Sequence, residues 1–155
     1  MFVNMEIHDI GKIAAALPRL ELATLRDEAE ASASMHALGT FNQCTPGLVR
    51  FRGETPWERH PDSELLFVLD GWVDLTAYDA DGVCETRRLV KGSLCVMPPA
   101  LWHRQNAPEG ATVLFVTSSD GNETSHAHPA GLAGIVPLPL PGFRESFDSK
   151  RNHRQ

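Results

Sequence analysis

At 155 residues, 42% of them apolar and 22% charged, the chain suits one globular domain built around a single hydrophobic core. Its formal charge of −6 argues against nucleic acid and anionic membranes as main partners. No apolar run approaches the roughly 20 residues that span a bilayer. The N-terminus, MFVNMEIHDIGK, lacks a basic segment followed by an apolar core, so it does not read as a secretory signal and a cytoplasmic location is expected. Cys44, Cys84 and Cys95 are dispersed without CxxC spacing, which suggests reduced thiols rather than a disulfide framework.

Residues 10–17 predict a short helix stopped by Pro18, and the polar, Ala-rich stretch 27–34 reads as an exposed connection. From Met35 the texture changes to short apolar segments separated by turn residues, the pattern of an all-β domain. Predicted strands cover residues 48–51, 65–69, 72–78, 84–90, 94–97 and 112–117. Asp70-Gly71 between two of them is a hairpin signal, as is Asp79-Ala80-Asp81-Gly82 further on. A loop through Pro108 and Gly110 is expected to separate the last two strands. Strands this short and numerous are accommodated by a barrel or sandwich. Beyond Thr117 the chain is rich in Gly, Pro, Ser and His, and irregular structure or an arm packed on a neighbour is expected. The resulting division is an N-terminal helix and arm (1–34), a β-barrel (35–119) and an irregular C-terminal extension (120–155).

Chemistry concentrates between Gly53 and Gly71. Glu58 and His60 are two apart, so on an extended chain they point to one side. Pro61-Asp62-Ser63 turns the chain, and Glu64 opens the next strand. A second segment begins at Gly92 and runs through Pro98 to Trp102 and His103, where His103 can add a fourth ligand from across the barrel.

These two segments resemble the motifs of the cupin superfamily, over about residues 48–119. The first motif is matched by Gly53, Glu58-x-His60, Glu64 and Gly71, and the second by Gly92, Pro98, His103 and Asn106. Ala100 stands where the second motif has glycine, Glu58 stands where the first has a histidine, and Gly53 lies one residue too close to Glu58. Trp57, His60 and Val68-Leu69-Asp70-Gly71 are similar to the core of small single-domain cupins. The resemblance implies a double-stranded β-helix, or jelly roll, holding a divalent metal through Glu58, His60, Glu64 and His103. Two imidazoles and two carboxylates favour Mn(II) or Fe(II), with Zn(II) and Ni(II) also compatible. It further implies a small-molecule substrate or ligand and a homodimer, and reactions such as those of dioxygenases, isomerases or hydrolases. A non-catalytic ligand-binding or sensing module is the alternative.

Competing assignments are specific. Glu64 can instead pair with Arg59 or Arg104, and Asp62 reads as a turn residue. His126 and His128 form a second His-x-His pair, but in a Gly/Pro-rich stretch that reads as a solvated loop. Trp57, Trp72, Trp102 and Phe67 read as core or interface more readily than as pocket lining. The sequon Asn122-Glu123-Thr124 carries no weight without a secretory signal.

Overall fold

The computed structural model describes residues 3–25, 28–79 and 81–129. The extended N-terminal arm leads into α1 (Ile10–Ala16), where the Asp9 side chain caps the helix by accepting from Lys12 N at 3.0 Å. The helix ends just before Pro18, as the sequence predicts. β1 (Leu20–Glu21) and a 3-10 turn (Leu22–Thr24) follow. The stretch expected to be an exposed connection instead forms α2 (Glu28–Ala33). Its alternating Glu and Ala are good helix formers, and Ala31 packs against the core.

Eight further strands complete the fold: β2 (Met35–Ala37), β3 (Cys44–Glu54), β4 (Trp57–Arg59), β5 (Glu64–Tyr78), β6 (Cys84–Val90), β7 (Leu94–Met97), β8 (His103–Ser118) and β9 (Glu123–Ser125). Three long strands organise them. β8 pairs antiparallel with β3 on one side and with β5 on the other. β4 joins the end of β8 and carries β9, while β6 and β7 pair with successive parts of β5. The result is an all-β, curled sheet whose inner face holds Phe51, Leu66, Val68, Val73, Leu75, Ala107, Ala111 and Val113. α1 packs outside it, with Ile10 and Ile13 against Leu48.

Two turn expectations are corrected. Asp70-Gly71 does not close a hairpin, because β5 runs straight through it and both flanks pair with β8. The register shifts there, and Gly71 takes a φ of +73° with its α-carbon against the chain: a Cβ would sit 2.2 Å from the Gly110 carbonyl oxygen. The dipeptide is therefore a bulge within one strand. The expected loop through Pro108 and Gly110 is likewise an irregularity inside β8, opposite the register shift between Phe51 and Gly53. A proline without an N–H is tolerated at such a point. The turn after Tyr78 does make a hairpin, with the Asp79 carboxylate accepting from Asp81 N and Val83 N.

Part of the C-terminal stretch expected to be irregular is β9, paired with β4; the rest of that expectation, from residue 130 onward, lies outside the described residues. No disulfide links the three cysteines. Among the described residues, no helix is long and apolar enough to cross a membrane.

Candidate metal centre and cavity

Strand alternation builds the site. In β4, Trp57 and Arg59 face one way and Glu58 the other, and His60, just beyond the strand, shares the side of Glu58. Glu58 is the direct cross-strand partner of His103, the first residue of β8. Across antiparallel strands such a pair is held side by side. The intervening turn is pinned at Asp62, whose carboxylate accepts from Ser118 Oγ at 2.9 Å and from Gln43 Nε2 at 3.0 Å. That fixes Glu64 at the start of β5. One ligand atom from each of Glu58, His60, Glu64 and His103 lies within 4.8 Å of the other three.

His60, Glu64 and His103 are all at least 96% buried, and Glu58 is the most open of the four. Glu64 sits between the imidazoles, with Oε2 3.2 Å from His60 Nε2 and Oε1 3.1 Å from His103 Nε2. Glu58 Oε1 stands further out, at 3.6 Å from His103 Nε2 and 3.9 Å from His60 Nε2. Thr117 Oγ1 donates to Glu64 Oε2 at 2.5 Å. Burial alone favours a neutral His103, but hydrogen bonds and charge from Glu58 and Glu64 overcome it and push the imidazole up to about 10. His60 is raised for the same reasons, burial being outweighed chiefly by Glu64. Burial would raise Glu64, yet the two imidazoles bring its carboxyl down to about 2. The arginines are engaged elsewhere: Arg59 pairs with Glu123 and stacks over Trp102, and Arg104 reaches Glu54 at 2.8 Å. The alternative pairing of Glu64 with either arginine is thus not seen.

The donor set fits a divalent cation. Asn122 Nδ2 donates to the Ser118 carbonyl at 2.7 Å, which leaves Oδ1 to accept from His60 Nδ1–H at 2.8 Å. His103 Nδ1–H donates to the Leu101 carbonyl at 3.0 Å. Both rings therefore direct Nε2 into the cluster, the orientation that outer hydrogen bonds impose on ligating imidazoles. His60 Nε2 is buried 3.2 Å from Glu64 Oε2, and among the described residues it has no partner that meets full hydrogen-bond geometry. A cation would satisfy it.

Glu58, His60 and Glu64 of the cluster line a partly open cavity of about 650 Å³ inside the sheet, while His103, bonded to Glu64, does not reach its surface. Leu66, Val113, Phe51 and Phe115 supply its apolar surface, while Thr55, Gln105 and Thr117 add polar groups. Trp57, Trp72, Trp102 and Phe67 do not line the cavity: Trp57 and Trp102 are buried beneath Arg104 and Arg59, whereas Trp72 lies at the surface under Arg88 rather than in the core. His128 is exposed but not wholly solvated, since its ring meets Trp57 edge-on and bonds the Tyr78 hydroxyl, away from the cluster. Asn122, Thr117 and the Leu101 carbonyl are the supporting groups that the sequence did not reveal.

A curled, mainly antiparallel sheet around a cavity, with a His/Glu cluster at its edge, defines the class of protein, a jelly-roll domain with a candidate metal centre. The family model described as a cupin domain matches residues 48–118, which identifies that part of the chain as a cupin domain. Solved structures share the fold. A protein from Neisseria meningitidis is 20% identical with a TM-score of 0.52, covering 74% of this chain and 100% of that one. A Streptococcus pyogenes protein of unknown function is 18% identical with a TM-score of 0.51, over 77% and 92%. Oxalate decarboxylase from Bacillus subtilis is 20% identical with a TM-score of 0.50, over 61% of this chain and 29% of that enzyme. No curated protein sequence gives a significant match.

Proposed function

We propose that the protein is a metal-dependent cupin that binds and transforms a small organic molecule in the barrel cavity, with Glu58, His60, Glu64 and His103 as metal ligands. The carrying observation is that two buried imidazoles, both directing Nε2 inward, converge with two carboxylates, and that Glu58, His60 and Glu64 among them line the cavity. A divalent ion held there supplies a Lewis acid, or with Fe(II) or Mn(II) a centre for dioxygen chemistry. His60 and His103 anchor from opposite ends of the cluster, and Glu64 carries the compensating charge between them. Glu58, the more open carboxylate, is the group placed to exchange a proton with bound substrate.

The test is metal analysis of untagged protein after exposure to Mn(II), Fe(II), Zn(II) or Ni(II). About one equivalent is expected, and uptake below about a tenth of an equivalent would sink the reading. Oxygen uptake and product analysis with small organic acids, catechols and thiols then separate an enzyme from a binding module, which would hold ligand without turnover.

A homodimer and a cytoplasmic location belong to the same proposal. Val3, Met5 and Ile7 are 73–87% exposed and alternate with polar residues along the extended arm, and Leu94 and Val96 project from β7. Apolar side chains so arranged suit a partner copy through the N-terminal region. A monomeric mass at micromolar concentration would count against it.

A further inference from the structure

The Gln105 side chain makes no hydrogen bond to the cluster or to the rest of the fold among the described residues. Its main chain is used, with Gln105 N donating to Thr55 Oγ1 at 3.0 Å and Gln105 O accepting from Thr55 N at 2.8 Å. Its side-chain amide is not: the residue is 93% buried, Oε1 is buried without a hydrogen-bond partner among the described residues, and the side chain lines the cavity. A buried, unsatisfied amide destabilises a protein, and an apolar side chain of similar size would occupy the position without that cost. Gln105 follows His103 by two residues on β8, so both project to the same face about 7 Å apart.

Charge limits what can lie between them. None of the described lining residues is Lys or Arg. With two neutral imidazoles and two carboxylates, a divalent ion brings the cluster to neutrality. A ligand carboxylate bound directly to the ion leaves the site with one excess negative charge, offset by that ligation, but a second carboxylate away from the ion would be buried with neither ligation nor counter-ion. The remaining wall is largely apolar.

We propose that Gln105 is a specificity-determining residue, selecting a singly charged or neutral organic ligand whose apolar body fills the cavity and whose hydroxyl meets the Gln105 amide. A hydroxyl both donates and accepts, so it can satisfy either end of that amide. The anionic end of the ligand is placed at the cluster, and in this respect the inference rests on the metal reading above.

The experiment titrates Zn(II)-loaded and metal-free protein with 4-hydroxybenzoate, benzoate and succinate by calorimetry, measuring metal content on the same samples. The loaded protein is expected to bind 4-hydroxybenzoate about tenfold more tightly than benzoate, the value of one net hydrogen bond. Succinate, a dianion, is expected to bind weakest. Gln105→Met should abolish the preference, bringing 4-hydroxybenzoate and benzoate to the same affinity. Gln105→Glu, which keeps the shape of the side chain, should weaken both anions. Both variants retain the main-chain pair with Thr55. Equal binding of the two benzoates by the unaltered protein overturns the inference. So does a preference that survives Gln105→Met, tightest binding of succinate, or no binding at millimolar ligand. A protein that takes up metal but shows no preference sinks the role of Gln105 alone. One that takes up no metal sinks the metal reading, and the preference measured on metal-free protein still decides the role of Gln105.

Discussion

Asn122 Oδ1 lies 2.8 Å from His60 Nδ1, and the same amide is locked by its donation to the Ser118 carbonyl. One side chain on the approach to β9 thereby fixes both the tautomer and the ring orientation of a residue 62 positions earlier.

Asn122→Ala is expected to weaken metal binding by about 10- to 100-fold, the usual effect of removing the group behind a ligating imidazole. Asn122→Asp keeps an acceptor in place and should recover most of that affinity. Competition with a chelator of known affinity measures both. Equal affinities for Asn122→Ala and the unaltered protein would remove Asn122 from the site.

The pH dependence follows from the raised imidazoles. Without metal, His103 at about 10 against an ordinary 6.5 contributes stability that is complete below 6.5 and lost as pH rises through about 10. Glu64, at about 2 against 4.5, contributes stability present above 4.5 and lost as pH falls through about 2. Metal must displace the protons on the imidazoles, so binding should tighten with rising pH and release between one and two protons near neutrality. Calorimetry in buffers of different ionisation enthalpy counts them, and thermal melts from pH 6 to 8.5 should show a metal-induced rise in Tm that grows with pH.

The two carboxylates should separate in mutagenesis. His60→Ala and His103→Ala are each expected to remove most of the bound metal, whereas Glu58→Ala, deleting the more distant and more open group, only weakens binding. Glu64→Ala differs because it strands two buried imidazoles without their counter-charge. It should destabilise the metal-free protein by about 3 kcal/mol as well as abolishing uptake. Metal content and denaturant melts of the metal-free variants distinguish the two behaviours.

The cluster was legible because it depends on local rules. Two-residue alternation places Glu58 beside His60, a short turn delivers Glu64, and the second motif supplies His103. The supporting groups obey no such rule: Thr117 reaches Glu64 across 53 positions, and Asn122 stood out only as part of a sequon. Strand continuity was hidden for a related reason. Asp70-Gly71 carries the local signature of a turn, but pairing of both its flanks with β8 outweighs that signature and turns it into a bulge. The helix at Glu28–Ala33 is not legible in the sequence because six residues show too little apolar periodicity.

Ala100 is a departure from the family motif with a measurable consequence. It replaces a glycine and takes a φ of +66°, a left-handed conformation that costs an L-residue roughly 1–2 kcal/mol. The turn holds that shape because Ala100 N donates to the His60 carbonyl at 2.9 Å, tying the approach to His103 against the other histidine. Ala100→Gly should relieve the strain, with part of the gain offset by glycine's greater freedom in the unfolded chain, leaving a net stabilisation of about 0.5 kcal/mol. Ala100→Val, which adds β-branching to the same backbone, should instead destabilise by more than about 1 kcal/mol. Denaturant unfolding of the metal-free proteins tests the order Gly, Ala, Val from most to least stable. Because the ligands themselves are untouched, Ala100→Gly is expected to leave metal affinity within about twofold of the unaltered protein, a shift of less than 0.5 kcal/mol.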